Sequence, residues 1–250
     1  MIESKIELLK PYMRDKESAF IKSVLNSYKP SSVSQVDAFE KAIASYAGVK
    51  DAIAVHSSAS AIHLALILLG VQKGDQVYCP TLTSSANIKP ILHQGAEPVW
   101  IDSEKDTWSM SPLALRRALH LDALKGSLPK AVIVSNTYGQ SARMNELFLV
   151  CDYYRVPIIE DATESFGSMY KGRMSGTLGK FGIYSFSEDK SITAYGGGIL
   201  VSDDTSLMNK ARDLIGHTCD RMLGDESIVL GFDYRLNHLL ASIGRNQLQV

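Results

Sequence analysis

An acid and an amine stand in this sequence where each could take part in chemistry. Asp161 comes directly after the apolar run Val156–Ile159 and Glu160, and Lys190 follows a second apolar run, Phe181–Phe186. A carboxylate at the end of a buried strand can keep a ring nitrogen protonated, and a lysine amine can form an imine with an aldehyde. The two residues together therefore suit a cofactor that carries both groups, pyridoxal phosphate (PLP).

Each of the two residues also has an ordinary structural interpretation. Asp161 alone could cap a helix or lie in a loop, and most lysines are simply exposed to solvent. Glu160 and Glu164 crowd the turn around Asp161, and acids so close together repel one another unless a cation is near. This crowding favours a functional site.

A phosphate site is the second candidate. The segment Ser57–Ser60 stands between an apolar run and a helical pattern, so the first N–H groups of that helix could bind an anion. The same residues would serve equally well as an ordinary N-cap. Ser185 adds a hydroxyl that could reach the same phosphate. The run Gly196–Gly198 would let the backbone pass close to a ligand or a neighbouring strand, or it would form a plain turn.

Short apolar runs alternate with amphipathic stretches along the chain, which predicts an α/β fold with a largely parallel sheet. Strands are predicted at 51–55, 76–79, 97–101, 131–136, 157–160, 181–186 and 198–202. Helices are predicted at 16–27, 33–46, 60–69, 85–94, 111–122, 145–154 and 204–215, and one more begins near Asn237. The sequence contains no internal repeat or linker, so we expect one domain.

Composition excludes several classes of function. The net charge of −1 gives no field for nucleic acid or a membrane surface. The charged start lacks the apolar run of a signal peptide, and the three cysteines are too widely spaced for a disulfide frame or a zinc site, so we expect reduced thiols and a cytoplasmic protein. The histidines show no metal-ligand spacing, and neither a dinucleotide fingerprint nor a hydrolase elbow is present.

Taken together and in order, these residues and several further stretches make the chain resemble the DegT/StrS-type PLP-dependent nucleotide-sugar aminotransferases. The resemblance runs from about Ile6 to Val250. The matching stretches are Phe39-Glu40, Tyr46–Val49, Ala52–Val55, Gly74–Val77, Gly95–Val99, Tyr138–Gln140, Glu160–Ala162, Gly176–Gly179, Ser185-Phe186, Lys190, Gly196–Gly198, Tyr234-Arg235 and Gln247-Leu248.

The resemblance implies the architecture of an aspartate-aminotransferase-like large domain, with three α/β/α layers. This PLP-binding domain would take up residues 1–250, with an N-terminal segment of about residues 1–20 included. The family continues into a smaller C-terminal domain, which we expect to be absent here. The resemblance also implies a homodimer whose active sites lie at the subunit interface.

Roles for single residues follow from the same resemblance. Lys190 would be joined to the cofactor aldehyde and would later move a proton as a general base and acid. Asp161 would pair with the ring nitrogen, and Glu164 would lie near the ring. The phosphate would be bound by Ser185 together with the backbone at Ser58 and Ala59.

Four positions, in three parts of the chain, depart from the family's pattern. Where the family usually reads Ser-Gly-Thr, Ser58 and Ala59 follow Ser57, so one hydroxyl is lost and Ser58 would resist a backbone geometry that glycine accepts. An ungapped alignment from Thr83 gives Ser84 in place of an aromatic ring whose stacking is worth about 0.5–1.5 kcal/mol. Asp233 replaces an Asn that reaches the phosphate from the other subunit, and a carboxylate repels a phosphate. We therefore expect weakened PLP binding and retained imine chemistry.

Three functions stay open from the sequence. The leading one is amino transfer, usually from glutamate, to the keto group of a nucleotide-linked sugar, for amino-sugar or surface-glycan biosynthesis. The second is a non-catalytic remnant that serves as a binding or assembly partner. The third is another PLP reaction, such as elimination or desulfuration. A dehydratase branch of the family has His in place of Lys190, and neither Cys79 nor Cys151 is placed as a mobile nucleophile, so the third is less favoured.

Overall fold

A computed structural model describes residues 17–27, 35–215 and 231–248 of the chain. Cys219 and the predicted starts of the first two helices, at residues 16 and 33, lie outside these ranges. Within them, no helix is long and apolar enough to cross a membrane.

Helices and strands alternate through most of the chain. The strands are β1 (Asp51–Val55), β2 (Gln76–Pro80), β3 (Glu97–Ile101), β4 (Ala131–Ser135), β5 (Ile158–Asp161), β6 (Met169–Tyr170), β7 (Arg173–Met174), β8 (Phe181–Ser185) and β9 (Gly198–Ser202). The helices are α1 (Glu17–Ser27), α2 (Gln35–Ala47), α3 (Ser58–Leu68), α4 (Ser85–His93), α5 (Pro112–Lys125), α6 (Met144–Tyr154), α7 (Thr205–Leu214) and α8 (His238–Gln247). The seven predicted strands and eight predicted helices all form, with ends shifted by a few residues.

Seven strands make one sheet in the order β1-β9-β8-β5-β4-β2-β3. The strands from β8 to β3 pair in parallel, whereas β9 is antiparallel to both β8 and β1. Because β9 is reversed against both neighbours, β1 runs in the same direction as β8. The prediction of a mostly parallel sheet is therefore confirmed, and the carboxyl ends of six strands meet at one edge, where open α/β sheets bind ligands.

Alternate residues of each strand face two different helix layers. Ile53, Ile133 and Ile159 pack with α3, α4 and α7 in one core cluster. On the other face, Ala52 packs with α2 and α8, and Val132 packs with α5 and α6. Three α/β/α layers, the predicted architecture, follow from this alternation.

Two local features were missed in the sequence. A two-stranded hairpin forms from β6 and β7, and a single 3-10 turn spans Thr137–Gly139. Both elements are too short to produce a periodic apolar pattern. The turn contains Tyr138, which lines two adjoining cavities at the carboxyl ends of the strands. The turn is therefore relevant to function.

Candidate active site

Three polar residues lie at neighbouring strand ends on the face that carries α3 and α4. Ser135 at the end of β4 pairs in register with Asp161 at the end of β5, and Asp161 pairs with Ile183 of β8. Ser185 then ends β8 beside Gly198, the first residue of β9. The alternation of the strands places the side chains of Ser135, Asp161 and Ser185 on one face.

The carboxylate of Asp161 is buried and surrounded by hydrogen-bond donors. Its Oδ2 atom accepts from Asn87 Nδ2 at 2.6 Å and from Ser135 Oγ at 3.1 Å. Its Oδ1 atom accepts from the backbone N–H of Thr163 at 3.1 Å. Asp161 is 5% exposed, and its three hydrogen-bond donors hold the carboxyl group in one orientation.

Asn87 is a site residue that the sequence did not reveal. It lies in α4 and is fully buried, and its amide nitrogen also contacts Thr83 Oγ1 at 2.7 Å and Ser135 Oγ at 2.9 Å. One signal was available in the sequence: Asn87 stands three residues before Pro90 and four before Ile91, the spacing of one helix face. In α4 these three residues are buried together. A buried amide in such a position needs polar partners.

Glu160 points to the other face of the sheet, away from the site. Its Oε1 atom accepts from Asn136 Nδ2 at 2.9 Å, and its Oε2 atom accepts from the backbone N–H of Leu178 at 2.8 Å. Burial raises the pKa of Glu160, and hydrogen bonds from Asn136 and nearby backbone N–H groups oppose this rise. The expected crowding of three acids is therefore wrong, because adjacent residues of a strand face opposite sides.

Glu164 stands where two cavities adjoin. Its Oε2 atom accepts from the backbone N–H of Tyr138 at 2.7 Å. One cavity, of about 320 Å³, is lined by Ser185 and Lys190, among others, and the second, of about 220 Å³, is lined by Asp161. Glu164 lines both cavities, as do Tyr138 and Thr163.

Lys190 lies in the loop that follows β8 and lines the larger cavity. Its Nζ atom is 2.9 Å from the Oδ2 atom of Asp189, and 16% of its side chain is exposed. Burial would raise the pKa of Asp189, but hydrogen bonds from Lys190 and Ser187 and the charge of Lys190 lower it overall. The amine is thus held near the cavity by an adjacent carboxylate.

The start of α3 lies next to Gly198, which is the last residue of the glycine run and the first residue of β9. Ser57 caps α3, accepting from the backbone N–H of Ser60 at 3.2 Å. A Cβ atom on Gly198 would lie 2.4 Å from the backbone N of Ser58, so only glycine permits this close approach. The expectation that the glycines let backbone segments pass closely is confirmed, and so is the N-cap.

Ser58 takes an ordinary helical position at the start of α3. The residues other than glycine that have positive φ within the described ranges are Trp108, Tyr138, Arg155, Lys171 and Tyr195. The expectation that Ser58 would resist the local backbone geometry is therefore wrong. Ser58 and Ala59 precede the first N–H bonds within the helix, as an anion site at a helix start requires.

The remaining predicted residues lie at the rim of the site or beyond it. Ser84 is exposed, precedes α4 and lines the smaller cavity. Asp233 is exposed and is not among the residues that line the two adjoining cavities. The roles given to Ser84, Asp233, Ser58 and Ala59 stay predictions.

These residues fit the cofactor that the sequence predicts. An amine and a buried carboxylate with three hydrogen-bond donors line adjoining cavities at the ligand-binding edge of the sheet. Ser185 stands beside Gly198, which touches the start of α3, so a hydroxyl and free helical N–H groups are near one another. Within the described ranges, no group of three or more His, Cys, Asp or Glu side chains could hold a metal ion.

The chain belongs to the DegT/DnrJ/EryC1/StrS aminotransferase family, whose model matches residues 11–250. It is 47% identical, over all of its length, to a Bacillus subtilis (strain 168) protein classed by inference as the pyridoxal phosphate-dependent aminotransferase EpsN. It is 34% identical over 98% of its length to the GDP-perosamine synthase of Caulobacter vibrioides (strain ATCC 19089 / CIP 103742 / CB 15). Among solved structures, the aminotransferase TlmJ from Streptoalloteichus hindustanus is similar at a TM-score of 0.88, with 28% identity, 98% of this chain and 66% of that chain covered.

The chain spans 64% of the length of the Bacillus relative and 65% of the Caulobacter relative. Activity, substrates and partners of the whole relatives therefore come to this chain only as proposals.

Proposed function

We propose that this chain is a PLP-dependent aminotransferase that moves an amino group from an amino-acid donor, glutamate, to a keto sugar linked to a nucleotide. The cofactor is PLP. The observation that carries the proposal is the pairing of Lys190 and the donor-bound Asp161 across two adjoining cavities. When bound, PLP supplies an electron sink for the carbon that gains or loses the amino group.

The residues around the cavities have distinct tasks in this proposal. Asp161 binds the ring nitrogen and keeps it protonated, because a fixed anion favours a neighbouring cation. Lys190, which lines the larger of the two cavities, would hold the cofactor through its amine and would serve as the general base and acid that moves a proton at the donor carbon. The Nζ atom of Lys190 would have to leave the Oδ2 atom of Asp189, 2.9 Å away, to reach the aldehyde.

The phosphate would lie between Ser185 and the start of α3. Ser185 Oγ is 2.9 Å from Ser187 Oγ, and either hydroxyl can donate to an anion. The backbone N–H groups of Ser58 and Ala59 add the charge of the helix dipole. Glu164, at the boundary of the two cavities, would contact the ring. Ser84 would occupy the place of a stacked aromatic ring and contribute little attraction.

A homodimer is part of the proposal. Asp233 is exposed on its own chain, as would suit a residue that completes the site of a second copy. In that position, beside the partner's phosphate, its carboxylate would oppose binding. This feature supports the prediction that PLP binds more weakly than in relatives with an amide at this position. A cytoplasmic location, a single large domain over 1–250 and a role in surface-glycan biosynthesis remain predictions.

The substrate class rests on the similarity to GDP-perosamine synthase, whose name specifies an amino sugar carried on GDP. A direct test supplies ¹⁵N-labelled glutamate with keto sugars carried on guanosine, uridine or thymidine diphosphate. We expect one amino sugar to gain ¹⁵N while an equal amount of 2-oxoglutarate appears, and Lys190→Ala should give neither product.

The same experiment separates the alternative functions. Loss of a hydroxyl from the sugar, without ¹⁵N in the product, would identify elimination instead of amino transfer. A protein that takes up PLP but consumes no donor would support a non-catalytic binding partner. Desulfuration needs a reactive cysteine, but burial raises the pKa of Cys79 and of Cys151 to about 12.

A further inference from the structure

The buried amide of Asn87 faces three side-chain oxygens at the site. Its Nδ2 atom is 2.6 Å from Asp161 Oδ2, 2.7 Å from Thr83 Oγ1 and 2.9 Å from Ser135 Oγ. An amide nitrogen has two protons, and the carboxylate can only accept. One proton therefore goes to Asp161, and the hydroxyls of Thr83 and Ser135 share the other.

The orientation of this amide is set by the carboxylate. If the amide were turned over, Asn87 Oδ1 would face Asp161 Oδ2, and two acceptors would repel each other. Asn87 Oδ1 is buried, and it is one of four buried side-chain atoms that find no hydrogen-bond partner within the described ranges. An unsatisfied buried acceptor costs stability, so the position of Asn87 is better explained by Asp161 than by the stability of α4.

The two carboxylate oxygens of Asp161 have different hydrogen-bond partners. Oδ2 accepts from two side chains, Asn87 and Ser135, whereas among the described residues Oδ1 accepts from the backbone of Thr163 alone. A carboxylate oxygen can accept about two hydrogen bonds. Oδ1 therefore keeps the capacity to accept one more, and Asp161 lines the smaller cavity.

We propose that Asn87 is a positioning residue of the reaction, whose amide holds Asp161 Oδ2 so that Oδ1 is directed at the ring nitrogen of the cofactor. The inference rests on the proposed function, because it needs PLP in the two cavities. Asn87 itself does not touch the cofactor in this arrangement. It acts by fixing the carboxylate, and Ser135 assists as a second donor to the same oxygen.

The inference is tested by comparing two ligands that differ in one atom. PLP and its carbocyclic analogue, in which C–H replaces the ring nitrogen, both carry the aldehyde and the phosphate. Only PLP can bind Asp161 through the ring. Calorimetric titration of the full chain should give a PLP affinity about 10- to 100-fold above that of the analogue, as expected of a hydrogen bond to a charged group.

Asn87→Leu should lower this ratio of affinities to near one, because the freed carboxylate no longer faces the ring nitrogen. Asn87→Ala removes the same donor without placing a bulky apolar group at the site, so it should also remove the discrimination. This second variant guards against a failure of Asn87→Leu to fold, which circular dichroism would detect.

Asn136→Leu is the matched control. It removes another buried amide near the strand ends, whose Nδ2 atom donates to the side chain of Glu160 and not to that of Asp161. It should lower the affinities for PLP and the analogue by a similar factor and leave their ratio unchanged, as any merely structural change would.

The outcomes separate the two proposals. If the unaltered chain binds neither compound, the proposed function itself fails. If it binds both equally, or if it prefers PLP and both Asn87 variants keep that preference, the positioning role of Asn87 is overturned while PLP binding stands.

Discussion

Two neighbouring residues of β5, Glu160 and Asp161, have buried carboxylates that face opposite sides of the sheet and that we expect to have different roles. Asp161 faces α4, and its side chain is bound by the amide of Asn87 and the hydroxyl of Ser135. Glu160 faces the other helix layer and is bound by the amide of Asn136 and by backbone N–H groups. Each acid is therefore paired with a buried asparagine, but of the two acids only Asp161 lines one of the two adjoining cavities.

The two carboxylates differ in the parts of the chain that donate hydrogen bonds to them. The Glu160 partners Leu178 and Gly179 lie in the loop that leads to β8, so this carboxylate holds the loop against the sheet. The partners of Asp161 are side chains and one local N–H group, so this carboxylate closes no loop. Burial alone thus does not distinguish a reactive carboxylate from a structural one, whereas the destination of its hydrogen bonds does.

The largest expected effect comes from Asp161→Ala. Loss of a fixed charge at a reacting centre should lower kcat about 10²- to 10³-fold. The buried donors of Asn87, Ser135 and Thr163 also lose their acceptor, so the free energy of unfolding should fall as well. Steady-state kinetics and urea unfolding on the same sample check both parts. A large loss of stability with normal turnover would reverse the assignment of the two acids.

Glu160→Ala should lower stability without changing the preference for the cofactor. It leaves buried donors of Asn136, Leu178 and Gly179 without their acceptor, and each unsatisfied group costs about 1–3 kcal/mol. The free energy of unfolding, measured by urea denaturation, should fall by at least about 3 kcal/mol. Where the variant still folds, its ratio of affinities for PLP and the carbocyclic analogue should equal that of the unaltered chain. A changed ratio would show that Glu160 also acts on the cofactor.

The phosphate side of the site is tested by Gly198→Ala. The added Cβ would lie 2.4 Å from the backbone of Ser57 and Ser58, which must move. We expect a loss of about 1–3 kcal/mol in stability and weaker binding of inorganic phosphate in calorimetry. Gly244→Ala is the control, because its Cβ would meet the ring of Phe39, 2.7 Å away in a different core cluster. It should reduce stability without changing phosphate binding; an equal effect on phosphate would remove α3 from the proposed site.

The pH dependence of stability follows from the raised pKa of Glu160. The folded state keeps this proton to a higher pH than the unfolded state, in which the carboxyl has its ordinary pKa of 4.5. The contribution is therefore fully present below pH 4.5 and is lost as the pH rises through the folded-state pKa, by at most about 1.4 kcal/mol per pH unit. Glu160→Gln should lose this slope, whereas Asp189→Asn should retain it. Parallel pH profiles for the parent and Glu160→Gln would refute the assignment.

The smallest expected effect on binding comes from Ser185→Ala, with Ser175→Ala as its control. Ser185→Ala should weaken the binding of inorganic phosphate by about 0.5–1.5 kcal/mol, the net value of one hydrogen bond. Ser175 is also buried, but its Oγ contacts Asn136 and Ser165 on the Glu160 side. Ser175→Ala should therefore lower the thermal midpoint and leave phosphate binding unchanged. The reverse pattern would place the anion site elsewhere.

Much of the fold was predictable because both faces of the sheet are covered, which gives each strand a recognisable apolar run. Asp161 and Lys190 were identified because each follows such a run, and Ser185 because it is a hydroxyl near the end of one. The reversal of β9 was not predictable, since Gly198–Ser202 is buried on both faces in either direction. The contacts of Asn87 with Ser135 and Asp161 were also hidden, because they join α4 to two strands and depend on the strand order. The opposite directions of Glu160 and Asp161 could have been foreseen from strand alternation alone.

The most direct test of the central claim is the site of covalent attachment. The full chain is incubated with saturating PLP, reduced with borohydride, digested and mapped by mass spectrometry. One reduced PLP adduct is expected, on Lys190, and no specific adduct is expected in Lys190→Ala. An adduct on a different lysine, or none at saturating PLP, would contradict the account.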